Sequence, residues 1–277
     1  MMIQSGIIAI DDGGSSTCIV TKHVQEKFPS VKGLYGDRTL VNTTGKHDFI
    51  VEYKDKKYVM GTLAKYDCKY PLQMHINTKC HIFFDLSILV AIHKYGYPVN
   101  YLITSVPIST HTDGEKTERM HRLTGEHTIT VNGYKKTFTI MDVKVAPETA
   151  VAYWLDEPQG KTRFIDLGSR TIGYATTIFE DGINRFIDTE SGTIKDKGLE
   201  ALGDDYDQES LADYICGKLS AIWKENDKVF LLGGGANDGE LTDNIRRYFP
   251  KASVMDNPQM VNALAMYQLG RLAYDME

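Results

Sequence analysis

Two stretches of this chain share one pattern. An apolar run ends in isoleucine and aspartate, followed by glycine, small or polar residues and threonine: IAIDDGGSST at residues 8–17 and FIDLGSRTIG at residues 164–173. Each copy heads about half of the 277 residues. A duplicated α/β domain with one glycine hairpin per half produces this arrangement. Apolar residues flank both turns, so each is expected to join strand to strand. That excludes a P-loop, which needs G-x-x-x-x-G-K-[ST], and a Rossmann fingerprint, whose glycines open a helix.

The chemistry of such turns is narrow. Glycine has no Cβ, so backbone N–H groups can approach a phosphate closely, and serine and threonine hydroxyls add donors. Asp11 and Asp166 stand at the strand ends, where a carboxylate can hold Mg²⁺ directly or through water. Mg²⁺ keeps several waters and uses one or two carboxylates plus substrate phosphates. The layout therefore predicts a nucleotide–Mg²⁺ complex served by two hairpins. A third glycine loop, VFLLGGGAND at 229–238, follows an expected buried strand. Its three glycines suit a purine or phosphate lying on the backbone, or a tight strand-to-helix turn. Glu148, in VAPETAVAYWL, follows Pro147 at an expected helix start. It suits the positive end of a helix dipole, or a group that orients a water attacking a γ-phosphate.

Composition narrows the partners. With 42% hydrophobic residues the chain can form one large domain or two modest ones. A formal net charge of −6 argues against an extended nucleic-acid surface on the monomer. Four scattered cysteines without a C-x-x-C pair suit a reduced, cytosolic chain. MMIQSG lacks the basic start of a signal peptide, and no apolar run approaches the roughly 18 residues of a membrane span. HIFFDLSILVAIH (81–93) is the most apolar stretch and, with Asp85 inside it, reads as a buried helix. His75, His81, His111, His121 and His127 make no metal-binding spacing.

Local patterns predict strands at 7–10 and 18–24, a hairpin over 47–62 with a KDKK tip, and a helix over 79–95. A buried strand at 100–108 and a polar helix capped by Thr112 or Asp113 follow. Asn132-Gly133 predicts a two-residue hairpin turn. Helices are expected at ETAVAYWLD (148–156), LADYICGKLSAIW (211–223) and PQMVNALAMYQLGRLAYDM (258–276).

In order, IDDGGSST, APETAVAY, FIDLGSRTIG and LLGGGA resemble the phosphate-1, connecting-helix, phosphate-2 and adenosine motifs of the actin, Hsp70 and sugar-kinase superfamily. TFTIMDVKVAPETA (137–150) and PQMVNALAMYQLG (258–270) are similar to segments of plasmid-segregation actins of the ParM type. Only 66 residues separate Asp166 from Gly233, a short second half that resembles the AlfA subfamily. The resemblance implies an α/β actin-like ATPase fold of duplicated ribonuclease-H-like domains with subdomain IIB reduced or absent. Domain I is expected over 1–148 (IA and IB), domain II over 149–258, and a C-terminal helix over 259–277 returning to domain I.

The resemblance also implies roles. Asp11 is expected beside Mg²⁺, with Gly13, Gly14, Ser15 and Ser16 as the first phosphate turn. Glu148 is expected to position the hydrolytic water, and Asp166 to lie near Mg²⁺ and that water. Gly168, Ser169 and Arg170 form the expected second turn, and Gly233, Gly234 and Gly235 line adenine and ribose. Cys18 stands where actin has a lysine, which predicts weaker or less base-selective binding of ATP or GTP. The implied protein is a bacterial, cytoplasmic, nucleotide-hydrolysing filament former. It separates plasmid copies through a small DNA-binding adaptor on centromere-like repeats, without binding DNA or membrane itself. The alternative is a sugar- or acetate-kinase-like phosphotransferase, for which no sugar-binding signature is present. An Hsp70-like chaperone would need a substrate-binding domain for which no residues remain.

Overall fold

Ile7, Ile8, Ala9 and Ile10 are all buried. Both faces of their strand are covered, which is why it reads as an unbroken apolar run rather than an alternation. The structure, a computed structural model, describes residues 4–36, 45–66, 68, 78–195, 198–199 and 207–276. The chain divides into two units: residues 1–105, 112–146 and 269–277 in the first, and residues 106–111 and 147–268 in the second.

In unit 1 the apolar run is β1 (Ser5–Asp12), flanked by antiparallel β2 (Ser16–Val20) and parallel β7 (Val99–Val106). Beyond β2 lies β3 (Gln25–Pro29). The sheet continues past β7 through β9 (Tyr134–Pro147), β8 (Gly125–Val131), β5 (Asp48–Tyr53) and β6 (Lys56–Gly61) to β4 (Lys32–Leu34). The Asn132-Gly133 hairpin forms as expected, both residues having positive φ (51° and 81°) as a two-residue turn demands. Helices α1 (Thr62–Tyr66), α2 (Ile82–Tyr95) and α3 (Asp113–Leu123) complete the unit. Leu86, Leu89 and Val90 of α2 share one core with Ile8, Ile10 and Leu102 of the sheet. Each such side chain contributes about 1.5–3 kcal/mol on full burial. His81 caps α2 through Nδ1, and His127 is held by the Leu123 carbonyl at 2.8 Å, so both serve structure; His75 lies outside the described residues.

Unit 2 repeats the plan. Here β10 (Gly160–Leu167) is flanked by antiparallel β11 (Ile172–Glu180) and parallel β14 (Lys228–Leu232). Beyond β11 lies β12 (Ile183–Phe186), beyond β14 lies β15 (Ala252–Val254), and β13 (Gly192–Ile194) also pairs with β11. The order β3-β2-β1-β7 thus matches β12-β11-β10-β14, and a ten-residue echo in the sequence is a four-strand repeat in the fold. The helices are α4 (Tyr153–Asp156), α5 (Gln208–Leu219), α6 (Gly239–Tyr248) and α7 (Val261–Tyr274), whose residues from Leu269 onward belong to unit 1. Unit 1 inserts β4, β5, β6 and α1 after β3, whereas among the described residues unit 2 has only a 3₁₀ turn at Asp188–Glu190 and β13 between β12 and α5.

Two expectations change. Asp11 and Asp12 belong to β1 itself, not to the turn after it. ETAVAYWLD is not one helix: residues 150–152 form a 3₁₀ turn and α4 has four residues. Two helices, α1 and α6, went unmarked in the sequence: α1 has five residues, and α6 turns only Leu241, Ile245 and Tyr248 to the core as apolar side chains; Asp238 caps α6 by accepting from the Glu240 and Leu241 amides. No helix among the described residues is long and apolar enough to cross a membrane, and Cys18, Cys68, Cys80 and Cys216 are free thiols.

Candidate functional site

The first hairpin pairs Asp11 with Cys18 and Asp12 with Thr17. Gly13, Gly14, Ser15 and Ser16 are all half-buried. The Ser15 carbonyl accepts from the Ser30 amide (2.8 Å), and the Ser30 and Thr17 hydroxyls share a hydrogen bond (2.8 Å). A Cβ on Gly13 would lie 2.9 Å from the Ser16 carbonyl oxygen, so the turn is tight enough to require glycine there.

Successive strand residues point to opposite faces, and the two aspartates differ accordingly. Asp12 has a fully buried side chain, with Arg119 Nη2 2.5 Å from Oδ2 and Lys79 Nζ 3.1 Å from Oδ1. Burial pushes this carboxyl up, but Arg119 and Lys79 outweigh it and hold Asp12 below the usual carboxylate range. Asp11 is 14% exposed, accepts from the Ser105 hydroxyl (3.2 Å) and lies 3.7 Å from Lys79 Nζ. Of the two, Asp11 is the more exposed to solvent.

Arg119, on α3, is the keystone of this half. It donates to Asp12, to Thr104 Oγ1 (3.1 Å) and to the Lys79 carbonyl (2.7 Å). One turn earlier on α3, Glu115 accepts from the Lys79 amide (3.1 Å) and the Thr78 hydroxyl. Sequence reading missed both basic residues. Lys79 lies 67 residues from Asp12 and Arg119 lies 107 away, so no local pattern links them. The one signal was the i, i+4 pair of buried residues, Arg119 and Leu123, on an otherwise polar helix. Cys18 is buried opposite Asp11, and the lysine beside this aspartate pair, Lys79, comes from another segment.

The second hairpin pairs Asp166 with Gly173 and Leu167 with Ile172. A Cβ on Gly168 would lie 2.7 Å from the Thr171 carbonyl oxygen, the same three-residue approach that Gly13 makes. Asp166 therefore occupies the place of Asp11, and buried Leu167 the place of Asp12. Gly168, Ser169 and Arg170 are half-buried, and the Gly168 and Arg170 carbonyls accept from the amides of Leu199 (3.2 Å) and Gly198 (3.1 Å).

The third loop folds against the same aspartate. Gly233 has φ +84°, and a Cβ there would stand 2.3 Å from Asp166 Oδ1. A Cβ on Gly235 would meet Leu199 Cδ1 at 2.8 Å and Leu167 Cβ at 2.9 Å, while Gly234 has only the Gln259 amide nearby, at 3.3 Å. Two of the three glycines are thus required by packing inside the protein.

Glu148 directly follows β9, and its amide donates to the Val106 carbonyl (2.9 Å). No long helix begins here, so a helix macrodipole does not explain the residue. Thr149 instead has φ +65° and ψ −55°, and the Ala150 amide donates to the Glu148 carbonyl at 2.6 Å. That is a γ-turn of the rare, strained form.

Among the described residues, no three His, Cys, Asp or Glu side chains are grouped to hold a metal. Single carboxylates beside half-buried glycine turns are the donor set of an Mg²⁺ that takes its remaining ligands from water and phosphate.

Residues 9–150 match the N-terminal domain of actin-like proteins. The chain belongs to the actin-like protein family. No curated protein sequence matches it. Among solved structures this actin-like chain is similar to the ParM of a 15-stranded filament from Clostridium botulinum, with a TM-score of 0.79 at 18% identity over 98% of this chain and 100% of that one. It is similar to AlfA from B. subtilis plasmid pLS32 in a filament, with a TM-score of 0.75 at 19% identity over 97% and 98%. An AlfA filament bound to AMPPNP gives a TM-score of 0.74 at 19% identity over 98% of each chain. The fold is the actin-like one that the motif order implies, along the whole chain.

Proposed function

We propose that this chain hydrolyses a nucleoside triphosphate, ATP or GTP, with Mg²⁺, and assembles with copies of itself into filaments that separate plasmid DNA. The observation that carries the reading is the pair of hairpins. In each, an aspartate stands two residues before a glycine that only a bare backbone permits, and both lie in an actin-like chain. The likeness to ParM and AlfA filaments, one of them bound to AMPPNP, supports assembly and nucleotide use. A net charge of −6 supports a separate DNA-binding adaptor on centromere-like repeats rather than DNA contact by the monomer. The cytoplasm of a bacterium is the setting this implies.

In this reading the amides and hydroxyls of Gly13, Gly14, Ser15 and Ser16, and of Gly168, Ser169 and Arg170, donate to phosphate oxygens. Asp11, which accepts from the Ser105 hydroxyl, and Asp166 would each offer Mg²⁺ a carboxylate through its water shell. Bound there, Mg²⁺ supplies neutralisation of phosphate charge. Lys79 adds the cation that Cys18 does not. Glu148 accepts a proton from water as the new O–P bond forms and the bond from γ-phosphorus to the bridging oxygen breaks, leaving nucleoside diphosphate and phosphate. Gly233, Gly234 and Gly235 line the base and ribose.

Sedimentation and phosphate release with ATP, GTP and AMPPNP test this. Polymer with the nucleotides, and phosphate release only with ATP or GTP, is the expected result. Glu148→Ala should still polymerise while phosphate release falls about 10²–10⁴-fold. No polymer with any nucleotide, together with phosphate transfer to a sugar or acetate, would favour the phosphotransferase instead.

A further inference from the structure

Asn262 lies in the second position of α7, and its side chain is buried and uses both ends of its amide. Nδ2 donates to Asp166 Oδ2 at 2.8 Å. Oδ1 accepts from the Thr149 backbone amide at 3.1 Å. One residue therefore ties the carboxylate of the second hairpin to the strained turn that follows Glu148.

The strain makes this contact informative. A β-branched residue at φ +65° is a rare conformation that persists only where its surroundings over-determine it. Two features do so here. The Asn262 oxygen holds the Thr149 N–H, and Thr149 Oγ1 sits where a Cβ on Gly173 would be, 2.0 Å from that ideal position. Gly173 is the cross-strand partner of Asp166. Thr149, Gly173, Asp166 and Asn262 thus form one closed set within unit 2.

We infer that Asn262 is a positioning residue for nucleotide hydrolysis, fixing Asp166 through its N–H and the Glu148–Thr149 turn through its oxygen. The inference rests on the hydrolytic reading above, but its structural half stands without it. The amide is suited to both tasks at once: a carboxylate needs a donor and a backbone N–H needs an acceptor, and asparagine presents one of each.

Two variants separate the contacts. Asn262→Asp keeps an oxygen for Thr149 and removes the donor to Asp166; Asn262→Ala removes both. The first measurement is hydrogen exchange at Thr149 in the nucleotide-free protein. It should accelerate about tenfold in Asn262→Ala and stay near wild type in Asn262→Asp, as expected for one backbone hydrogen bond. The second is phosphate release beside affinity for a fluorescent nucleotide. Both variants should lose about tenfold to a hundredfold in turnover, the worth of a hydrogen bond to a charged group, with affinity nearly unchanged. Unchanged Thr149 exchange in Asn262→Ala overturns the inference, and so does wild-type turnover in both variants. Equal losses of affinity and turnover also overturn it, since they mark a general structural role. If the wild-type protein hydrolyses no nucleotide, the proposed function fails, and Thr149 exchange still decides whether Asn262 holds the turn.

Discussion

The two hairpins share a backbone course and part ways at the residue after the shared aspartate. Asp11 and Asp166 occupy the same place, and Gly13 and Gly168 make the same close approach. The next residue is Asp12 in the first and Leu167 in the second, both buried. Leu167 needs only apolar neighbours. Asp12 needs Arg119 and Lys79, and so the first hairpin draws α3 and the Lys79 segment to its turn. The second hairpin holds its aspartate with a neutral amide, Asn262. At its turn the first hairpin is thus held by a buried ion cluster, and the second by the burial of Leu167 and the Asn262 amide.

The most damaging way to break this contrast is Arg119→Met, which leaves Asp12 charged and buried. We expect a loss of about 3–5 kcal/mol in denaturant unfolding. Adding Asp12→Leu makes the first hairpin like the second, and the double variant should recover part of that loss, because a buried ion pair replaced by apolar groups is often neutral while Lys79 keeps Asp11 at 3.7 Å as its counter-charge. No recovery would mean that Asp12 is needed for more than its pairing with Arg119.

Next in size is Gly233→Ala. The new Cβ would stand 2.3 Å from Asp166 Oδ1 at a φ of +84°, and unfolding should show a loss of about 1–3 kcal/mol. Gly13→Ala, at 2.9 Å from a backbone oxygen and without a positive φ, should cost less in the same assay.

Acid should separate the hairpins without mutation. The folded-state value of Asp12 lies below its ordinary 3.8. Its pairing therefore contributes fully above that pH and is lost as pH falls through the folded value. Unfolding midpoints measured as the pH is lowered through this window should fall more steeply in wild type than in the Asp12→Leu, Arg119→Met protein. The smallest effect is expected from Thr112→Ala. Thr112 caps α3, the helix that carries Arg119, by accepting from the Glu115 amide at 3.2 Å, and its loss should cost about 1 kcal/mol.

The sequence by itself determined the duplicated strand-turn-strand plan, because apolar runs, Asp-x-Gly turns and the Asn132-Gly133 hairpin are local signals read within a few residues. It also marked Asp11, Asp166 and Glu148 as the acids of interest, through the order of the motifs around them. It left Asp12 ambiguous, since an acid before glycine suits any turn. Only the tertiary structure decided that Asp12 is a buried ion, that Lys79 lies beside Asp11 and Asp12, and that Asn262 joins Asp166 to a strained turn after Glu148. The reason is distance along the chain. Those partners lie 67, 107, 96 and 113 residues apart, and a hydrogen bond or ion pair leaves no periodicity in the sequence between its two ends.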